Sequence, residues 1–393
     1  MDGGAGRGDH AVEVRLSTIA REWGRIGCIG FGGPPTHIAL LRRLCVEERK
    51  WIAPNEFEDA IAATNLLPGP ASTQLAIFSA WRLRGTAGAL VGGVCFIVPG
   101  LVVILALAAF FLAGGVPRWA LGAAAGAGAA VAAVAVHAGV GLVPASWQRA
   151  GTERASRLRW IAYLVVGALA AALIGPWLVL VLVAAGILEV VVCTGIPGRS
   201  TSSAAPLPLA FTLPTLGGLA AVSWVAFKVG ALSYGGGFVI IPLMQSDAVT
   251  HYHWMTDAQF LNAVALGQIT PGPVVQTVAV VGYAAAGVPG GLLAALVAFT
   301  PSFLFVIFGG PRFDQLRENP RVLAFLAGAG PAVIGAILGS AIPLALALQH
   351  AWQFAVLAAA AVFLLVARRG VVTTLLTAAA IGIAAAAVGL PIT

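Results

Sequence analysis

Two Pro-Gly-Pro triplets interrupt stretches of the chain that are otherwise apolar. They occur in NLLPGPASTQL at 65–75 and in QITPGPVVQTV at 268–278. Proline has a fixed φ and no N–H, so it suits the first position of a helix, and glycine permits a tight turn before it. Helices that begin at Pro70 and Pro273 would leave N–H groups unbonded, and each N-terminus would carry about half a positive charge. Two such N-termini that converge form a site for an anion.

The side chains beside the triplets can donate hydrogen bonds to an oxyanion, or they can satisfy backbone carbonyls that the breaks leave free. A proline kink without a ligand explains one triplet equally well, but two triplets in matching places favour a binding site. The candidate substrate-binding residues are Asn65, Pro68, Gly69, Pro70, Ser72, Thr73 and Gln74 in the first copy, and Gln268, Pro271, Gly272, Pro273 and Gln276 in the second.

Glycine clusters form a second pair of breaks, in GFGGPPTH at 30–37 and SYGGGFVI at 233–240. Glycine tolerates irregular backbone and allows a ligand to approach closely. Close helix packing is the alternative role for any one of these glycines. The residues that we assign to the substrate site are Gly32, Gly33, Gly235 and Gly236.

Two cations occupy matching positions, Arg25 and Lys228, each two residues before a glycine. A cation at the bilayer centre costs about 2.5–3.5 kcal/mol on insertion scales. A divalent anion between the two would offset much of that cost, which makes both residues candidates for substrate binding. Alternatively, the two side chains extend to opposite membrane interfaces, and the sequence leaves both interpretations open.

Four titratable residues are candidates for proton coupling. Glu56 and Asp59 have uncharged counterparts in the second half, so only the first half can titrate there, although a solvated helix start is the plainer interpretation. Glu189 stands alone in an apolar stretch, and His37 follows the first glycine break. Ionisable groups inside membrane segments often serve proton relays, but each of these two is also compatible with a structural role.

Both kinds of break belong to one internal repeat. The triplets are 203 residues apart (271 − 68), and the same spacing, without gaps, pairs Trp51 with Trp254, Gly88 with Gly291 and Phe96 with Phe299. Each half contains an interrupted segment, a triplet segment and four apolar runs near the length of ~20 residues that spans a bilayer as a helix. We therefore predict an all-α polytopic membrane protein made of two homologous halves.

The repeat also divides the chain. We place an N-terminal amphipathic segment at 1–22, a first transporter repeat at 23–195 and a second at 216–393, joined by a linker at 196–215 that is rich in Pro, Ser and Thr. Composition agrees with a membrane protein, since 59% of the residues are hydrophobic and only 9% are charged, whereas a soluble surface needs roughly 25%.

Loop charges predict that the two halves are inverted. RRLCVEERKW at 42–51 is basic, but its counterpart QSDAVTHYHW at 245–254 has no Lys or Arg. Basic loops stay in the cytoplasm, so the halves should insert in opposite orientations. Within each half, the loops before and after the triplet segment have the same charge: both are basic in the first half, and both lack Lys and Arg in the second. We therefore expect these segments to be re-entrant half-helices that line a cavity between the halves.

Several other classes of protein lack support in the sequence. There is no GxxxxGK[ST] loop for ATP, and no GxSxG, HExxH or Cys/His spacing for a membrane-embedded enzyme. His251 and His253 are more consistent with an interface than with a metal site. We expect no cofactor and no metal. We also expect no nucleic-acid partner, because the basic residues of a membrane protein mark its cytoplasmic loops.

FGGPPTHIALLRRLCVEERKW, NLLPGPASTQLAIF, GALVGGVCFIVPG, FKVGALSYGGGFVIIPLMQ and FTPSF resemble the chromate ion transporter family, in its bidomain branch. The resemblance covers most of 20–310. It implies a multi-pass inner-membrane protein that exports chromate, confers chromate resistance and is driven by the proton motive force.

Many members of the family have PGPNSTE where this chain has Ala71 and Gln74, so a role for Asn or Glu at those places does not carry over. Sulfate, also a tetrahedral dianion, is the natural competitor for the site. Uptake of sulfate or another oxyanion, and passive anion conduction, remain the alternatives. The sequence leaves open the direction of transport, the coupling ion and a homodimer.

Overall fold

The computed structural model describes residues 14–64, 69–112, 115–173, 178–194, 217–233, 240–310 and 319–392, and every regular element in these ranges is helical. The helices of the first half are α1 (Leu16–Ile29), α2 (Pro34–Arg42), α3 (Pro54–Thr64), α4 (Ala71–Leu112), α5 (Arg118–Ala129), α6 (Val131–Arg149), α7 (Arg154–Leu173) and α8 (Leu178–Thr194). Those of the second half are α9 (Gly218–Leu232), α10 (Ile240–Gln245), α11 (Asp257–Ile269), α12 (Thr277–Gly309), α13 (Pro320–Leu346), α14 (Ala351–Ala361) and α15 (Val371–Ala387).

Some expected features lie outside the described residues. These are Asn65, Pro68, Gly235 and Gly236 of the candidate site, the linker at 196–215 and most of the N-terminal segment. The limits of the two repeats stay a prediction.

The fold repeats the same irregular elements in both halves. A π-helical turn follows α2 at Arg43–Glu48, and another follows α10 at Ser246–His251. These turns are 203 residues apart (246 − 43), the spacing that the triplets predicted. The structure therefore agrees with the homology of the halves at the level of local backbone geometry.

Each triplet is followed by a helix that reverses direction. In α4 the backbone leaves helical geometry at Arg84 (φ −147°) and Gly85 (φ +59°). In α12 it does so at Ala286 (φ −152°) and Gly287 (φ +63°). A positive φ costs glycine little, because it has no Cβ, and the reversal divides α4 and α12 into a first and a second arm.

The two arms pack closely because small residues face each other. A Cβ on Gly88 in the second arm of α4 would overlap the carbonyl oxygen of Ala80 in the first arm, and one on Gly92 would overlap the Ala80 side chain. In α12, Gly290 approaches the carbonyl of Gly282 in the same way. The second arm, folded back on the end of the triplet segment, is therefore the first of the four apolar runs of its half.

The repeat spacing changes by one residue after the triplets. Gly85 and Gly287 hold equivalent positions at a spacing of 202 (287 − 85). The expected pairs Gly88–Gly291 and Phe96–Phe299 are therefore wrong by one residue, and Gly88 corresponds to Gly290. The cause is a 3₁₀ turn at Val274–Gln276, which rises about 2.0 Å per residue against 1.5 Å in an α-helix. Three 3₁₀ residues thus cover the length of about four α-helical ones.

The halves exchange helices. α13 of the second half packs against α6, α7 and α8 of the first, and α5 of the first half packs against α15, α11 and α14 of the second. Glycine makes these contacts possible, since a Cβ on Gly335 of α13 would overlap the carbonyl oxygen of Leu164 in α7. Small residues at the contact let membrane helices approach closely. The two halves therefore share one packed interior.

Five helical stretches of the described chain have the length and apolar character to cross a membrane, and four shorter apolar helices accompany them. Large apolar side chains point outward, such as Leu173 (76% exposed) and Leu346 (77%). This surface needs lipid rather than water around it. The chain is a multi-pass membrane protein. The re-entrant path of the triplet segments and the inversion of the halves stay predictions.

Candidate substrate-binding site

The first triplet begins a helix, as the sequence predicted, but one residue later. Gly69 has a φ of +125°, and the carbonyl of Pro70 accepts the N–H groups of Thr73 (2.9 Å) and Gln74 (3.0 Å). Pro70 is therefore the residue before α4, and the N–H groups of Ala71 and Ser72 precede the first intrahelical bonds.

The second triplet has the same turn and reaches into the other half. Gly272 has a φ of +92°, and its N–H donates to the carbonyl of Gly30 at 3.0 Å. The Pro273 carbonyl accepts the N–H of Gln276 at 2.9 Å, so a 3₁₀ turn begins at Val274. The second triplet is thereby bonded to the glycine break of the first half.

The first glycine break ends one helix and starts another. Gly32 (φ +99°) and Gly33 (φ +77°) take conformations that other residues rarely adopt, and Pro34 is the first residue of α2. A Cβ on Gly33 would lie 3.7 Å from Val274 Cγ2. The start of α2 therefore lies beside the second triplet.

His37 ties these segments together. Its Nε2 lies 2.9 Å from the carbonyl oxygen of Gly30, and its Nδ1 lies 3.3 Å from Ser72 Oγ. Because a carbonyl only accepts, Nε2 carries the proton and Nδ1 accepts from the serine hydroxyl. The ring is fully buried and lies edge-on to Phe96, with the centroids 5.0 Å apart. His37 thus joins the glycine break to the start of α4.

A cavity of about 480 Å³ opens where the breaks meet. Its wall includes Pro34, Ala71 and Val274, the first residues of α2, of α4 and of the 3₁₀ turn. Gln268 at the end of α11 also lines it. This side chain is 6% exposed, and its Nε2 has no hydrogen-bond partner among the described residues. A buried donor of this kind is costly unless a ligand or water accepts from it.

The cavity wall favours negative charge. Three N-termini contribute partial positive charge and N–H groups, and none of the described lining residues is Asp or Glu. Among these described lining residues, the one that can titrate is His137 of α6. The sequence did not indicate His137, because no break in the helical pattern lies near it.

Each triplet is held by a helix of the opposite half. A Cβ on Gly100 of α4 would overlap the carbonyl oxygen of Pro271. In the mirror contact, a Cβ on Gly69 would lie 3.2 Å from Ser302 Oγ of α12. Gly100 and Ser302 are equivalent at the spacing of 202 (302 − 100), and both lie in motifs, VPG and TPSF, that reasoning about single residues left unassigned. The triplets therefore lie at the interface of the halves.

The polar residues just after the triplets are buried but do not line the cavity. Ser72, Thr73, Gln74 and Gln276 are all at most 2% exposed. The amide of Gln276 donates from Nε2 to the carbonyl of Ile97 at 2.7 Å, so it binds the opposite half. Ser72 Oγ is bonded to Nδ1 of His37. A direct contact of these four with substrate stays a prediction.

The two cations at matching positions have different surroundings. Arg25 is exposed on α1. Lys228 is largely buried, and its Nζ lies 2.6 Å from Asp247 Oδ2 and 5.7 Å from the centroid of the Trp224 ring. Neither cation lines the cavity, and the charge of Lys228 is balanced by the carboxylate of Asp247.

The acidic candidates for proton coupling lie away from the cavity. Glu56 forms an ion pair with Arg82, and Asp59 is exposed on α3. Glu189 accepts both hydrogen bonds of a bidentate pair with Arg159 (2.9 Å each) and one from Tyr163 (3.0 Å). This cluster joins α7 to α8. Of the four candidates, His37 is the one whose side chain is bonded to the glycine break and to the start of α4.

Two repeats of broken helices around a shared, positively biased cavity define a multi-pass membrane protein built like a transporter. The chain belongs to the chromate transporter family, whose sequence model matches residues 17–190 and 220–388. The chromate transport protein of Cupriavidus metallidurans is 35% identical over 87% of this chain and 85% of its own length.

Two further relatives agree with this membership. The probable chromate transport protein of Synechococcus elongatus is 30% identical, with 84% of each chain covered. The chromate transport protein of Pseudomonas aeruginosa is 31% identical over 82% of this chain and 79% of its own. No solved structure matches the chain significantly.

Proposed function

We propose that this protein is a secondary transporter that exports chromate across the cytoplasmic membrane and thereby confers resistance to it. The observation that carries the proposal is the cavity, in which three helix N-termini meet the Nε2 of Gln268, a donor without a partner among the described residues, and none of the described lining residues is acidic. The names of the relatives supply the substrate, since they are called chromate transport proteins.

The geometry suits a tetrahedral dianion. Oxyanion oxygens accept hydrogen bonds from backbone N–H groups at helix N-termini, and Ala71 and Val274 present such termini from the two halves. The Nε2 of Gln268 adds a side-chain donor. Discontinuous helices that aim their N-termini at an anionic substrate are a recurring arrangement in secondary transporters with inverted repeats.

Proton coupling is supported by the position of His37. Its ring bonds both the glycine break and the start of α4, so a change in its protonation would alter contacts that shape the cavity. Nε2 already donates, and protonation of Nδ1 would turn the acceptor for Ser72 into a donor. Of the residues that the sequence proposed for proton coupling, His37 is therefore better placed than Glu189, whose carboxylate is held by Arg159 and Tyr163.

Transport by purified protein in proteoliposomes tests the proposal. Inside-out proteoliposomes should accumulate chromate when a membrane potential, positive inside, is imposed, and the extent of accumulation should change when a pH gradient is added. Accumulation that follows the potential but does not respond to the pH gradient would indicate a passive channel. Failure to move chromate in either case would contradict the proposed function.

Sulfate transport is the second candidate function. The cavity offers charge and N–H donors, which sulfate can use as well as chromate. Adding sulfate in excess should slow chromate transport if the two share the site. Sulfate transport without chromate transport would reassign the substrate while leaving the anion site in place.

A further inference from the structure

His137 is the titratable side chain among the described residues that line the cavity. It lies on α6 and is half-buried, on a wall shared with Pro34, Ala71 and Val274. The other histidine nearby, His37, uses both ring nitrogens in contacts within the protein. No hydrogen bond or ion pair with a described residue engages the ring of His137, so its nitrogens are available to a ligand.

We propose that His137 binds the transported oxyanion in its protonated form, so that each dianion in the cavity is accompanied by a proton on this imidazole. The inference rests on the proposed function, because it needs an oxyanion at this place. A protonated imidazole has two N–H donors and a full positive charge, whereas the neutral ring has one donor. It would complete a site in which the helix N-termini supply only partial charges.

The surroundings of α6 favour a proton that depends on the anion. Charged or titratable residues also occur at the end of α6, in the elements packed against it and at the cap of α14, but they do not line the cavity. They are Arg118, Arg149, Asp257, Arg321 and His350. Asp257 is bonded to Gln245 at 2.9 Å. No carboxylate of the described residues on the cavity wall can therefore stabilise the imidazolium before an anion arrives.

Two arginines add to this dependence. Arg368 and Arg369 are exposed and come just before Val371, which lines the cavity. Their charges attract an anion towards the cavity and disfavour a second cation within it. By linkage, chromate binding and proton uptake must strengthen each other by the same factor.

Calorimetric titration of the purified protein with chromate between pH 5.5 and 8.5 tests the inference, in wild type and in His137→Gln. Glutamine keeps a hydrogen-bond donor but cannot take the charge. Loss of one charge-assisted hydrogen bond corresponds to about a ten- to hundredfold loss of affinity, which should appear at the acidic end and shrink towards the alkaline end. Chromate itself takes up a proton in this range, but that contribution is common to both proteins.

His251→Gln is the matched control, since His251 is the exposed last residue of the π-helical turn after α10 and does not line the cavity. It should keep the wild-type pH profile. If His137→Gln also keeps it, the assignment of His137 is overturned and the proposed function stands. If wild type binds neither chromate nor sulfate at any pH, both are overturned. A profile lost in His37→Gln but kept in His137→Gln would transfer the proton to His37 and overturn the inference.

Discussion

Single residues decide the geometry of the triplets. Gly69 and Gly272 have φ values of +125° and +92°, a region that residues with a Cβ rarely adopt. At Gly69 an added Cβ would also press on the side chain of Gln74 and lie 3.2 Å from Ser302 Oγ. The turn therefore depends on glycine for conformational and steric reasons, and it sets the direction of the N–H groups that follow.

We expect Gly69→Ala and Gly272→Ala each to weaken chromate binding in protein that still folds. The N–H groups of Ala71 or Val274 would turn away from the anion, and loss of one charge-assisted hydrogen bond costs about 1.5–3 kcal/mol. Calorimetry on monodisperse variants measures the loss. Gly151→Ala is the control, because Gly151 has a φ of +73° with nothing within 4 Å of its Cβ position. Wild-type affinity in both triplet variants would show that the broken helices do not form the site.

Lys228 is a second single residue whose role can be tested by substitution. In Lys228→Gln, Asp247 would remain 3% exposed without its cation, and breaking a buried pair from one side costs about 3–5 kcal/mol. Lys228→Gln should therefore lower the melting temperature, and adding Asp247→Asn should recover most of it. Chromate affinity in the double variant separates the roles. Wild-type chromate affinity in the double variant would assign Lys228 to the ion pair alone. Affinity that stays low would support attraction of substrate by Lys228. Arg25→Gln is the matching test in the first half.

At the scale of elements, glycine contacts hold the exchanged helices together. Gly335 of α13 packs on the carbonyl of Leu164 in α7, and Gly339 packs on that of Ala168. No side chain fits there without moving the helices apart. The close contact is thus a property of the helix pair, and the loss of one glycine affects both partners.

Gly335→Ala should lower thermal stability, because overpacking of a closely packed contact costs about 1–3 kcal/mol. Gly330→Ala on the same helix is the control. Its nearest neighbour to a new Cβ is Ser146 Oγ at 3.9 Å, and alanine is the better helix former by about 1 kcal/mol. Thermal unfolding in detergent should rank the proteins Gly330→Ala, wild type, Gly335→Ala. Equal melting temperatures for the two variants would contradict this account of the α7–α13 contact.

The elements that followed from local chemistry could be predicted from the sequence. Proline and glycine act through their own backbone, so the breaks at 33–34 and 70–71 were evident without tertiary structure. The change of spacing from 203 to 202 could not be predicted, because a 3₁₀ turn differs from an α-turn only in bonding each N–H to the third instead of the fourth preceding residue, and it has no strong sequence signal. The reversals at Gly85 and Gly287 were evident only as gaps between apolar runs.

At the scale of the whole molecule, orientation is the open prediction. The reversed bias of basic loops predicts that the loop after α2 is cytoplasmic and the loop after α10 is outside. Cys45 is fully buried and does not suit labelling. We expect Arg43→Cys and His253→Cys, in a background without the four native cysteines, to react from opposite sides of the membrane with an impermeant maleimide. Labelling of both from one side would refute the inverted arrangement.

The site itself was only partly predictable, because it is assembled by contacts across the whole molecule. The triplets and the glycine break could be assigned to it from residue type. His137 comes from α6 and reaches the cavity only through the packing of the halves. Lys228 and Arg25 matched in sequence but differ in structure, because Asp247 has no acidic counterpart at Leu44.

The exchange of helices between the halves has a consequence for synthesis. α5 leaves the ribosome early, but α15, the helix against which it packs most extensively, begins at Val371, 242 residues after Ala129 (371 − 129). At about 5–20 residues per second, this interval lasts roughly 12–50 s. During that time the small-residue face of α5 lies in the bilayer without this partner, available to insertion chaperones, to membrane proteases or to another nascent chain. A protein truncated before α15 would stay in that state, so the first half depends on α15 to cover this face.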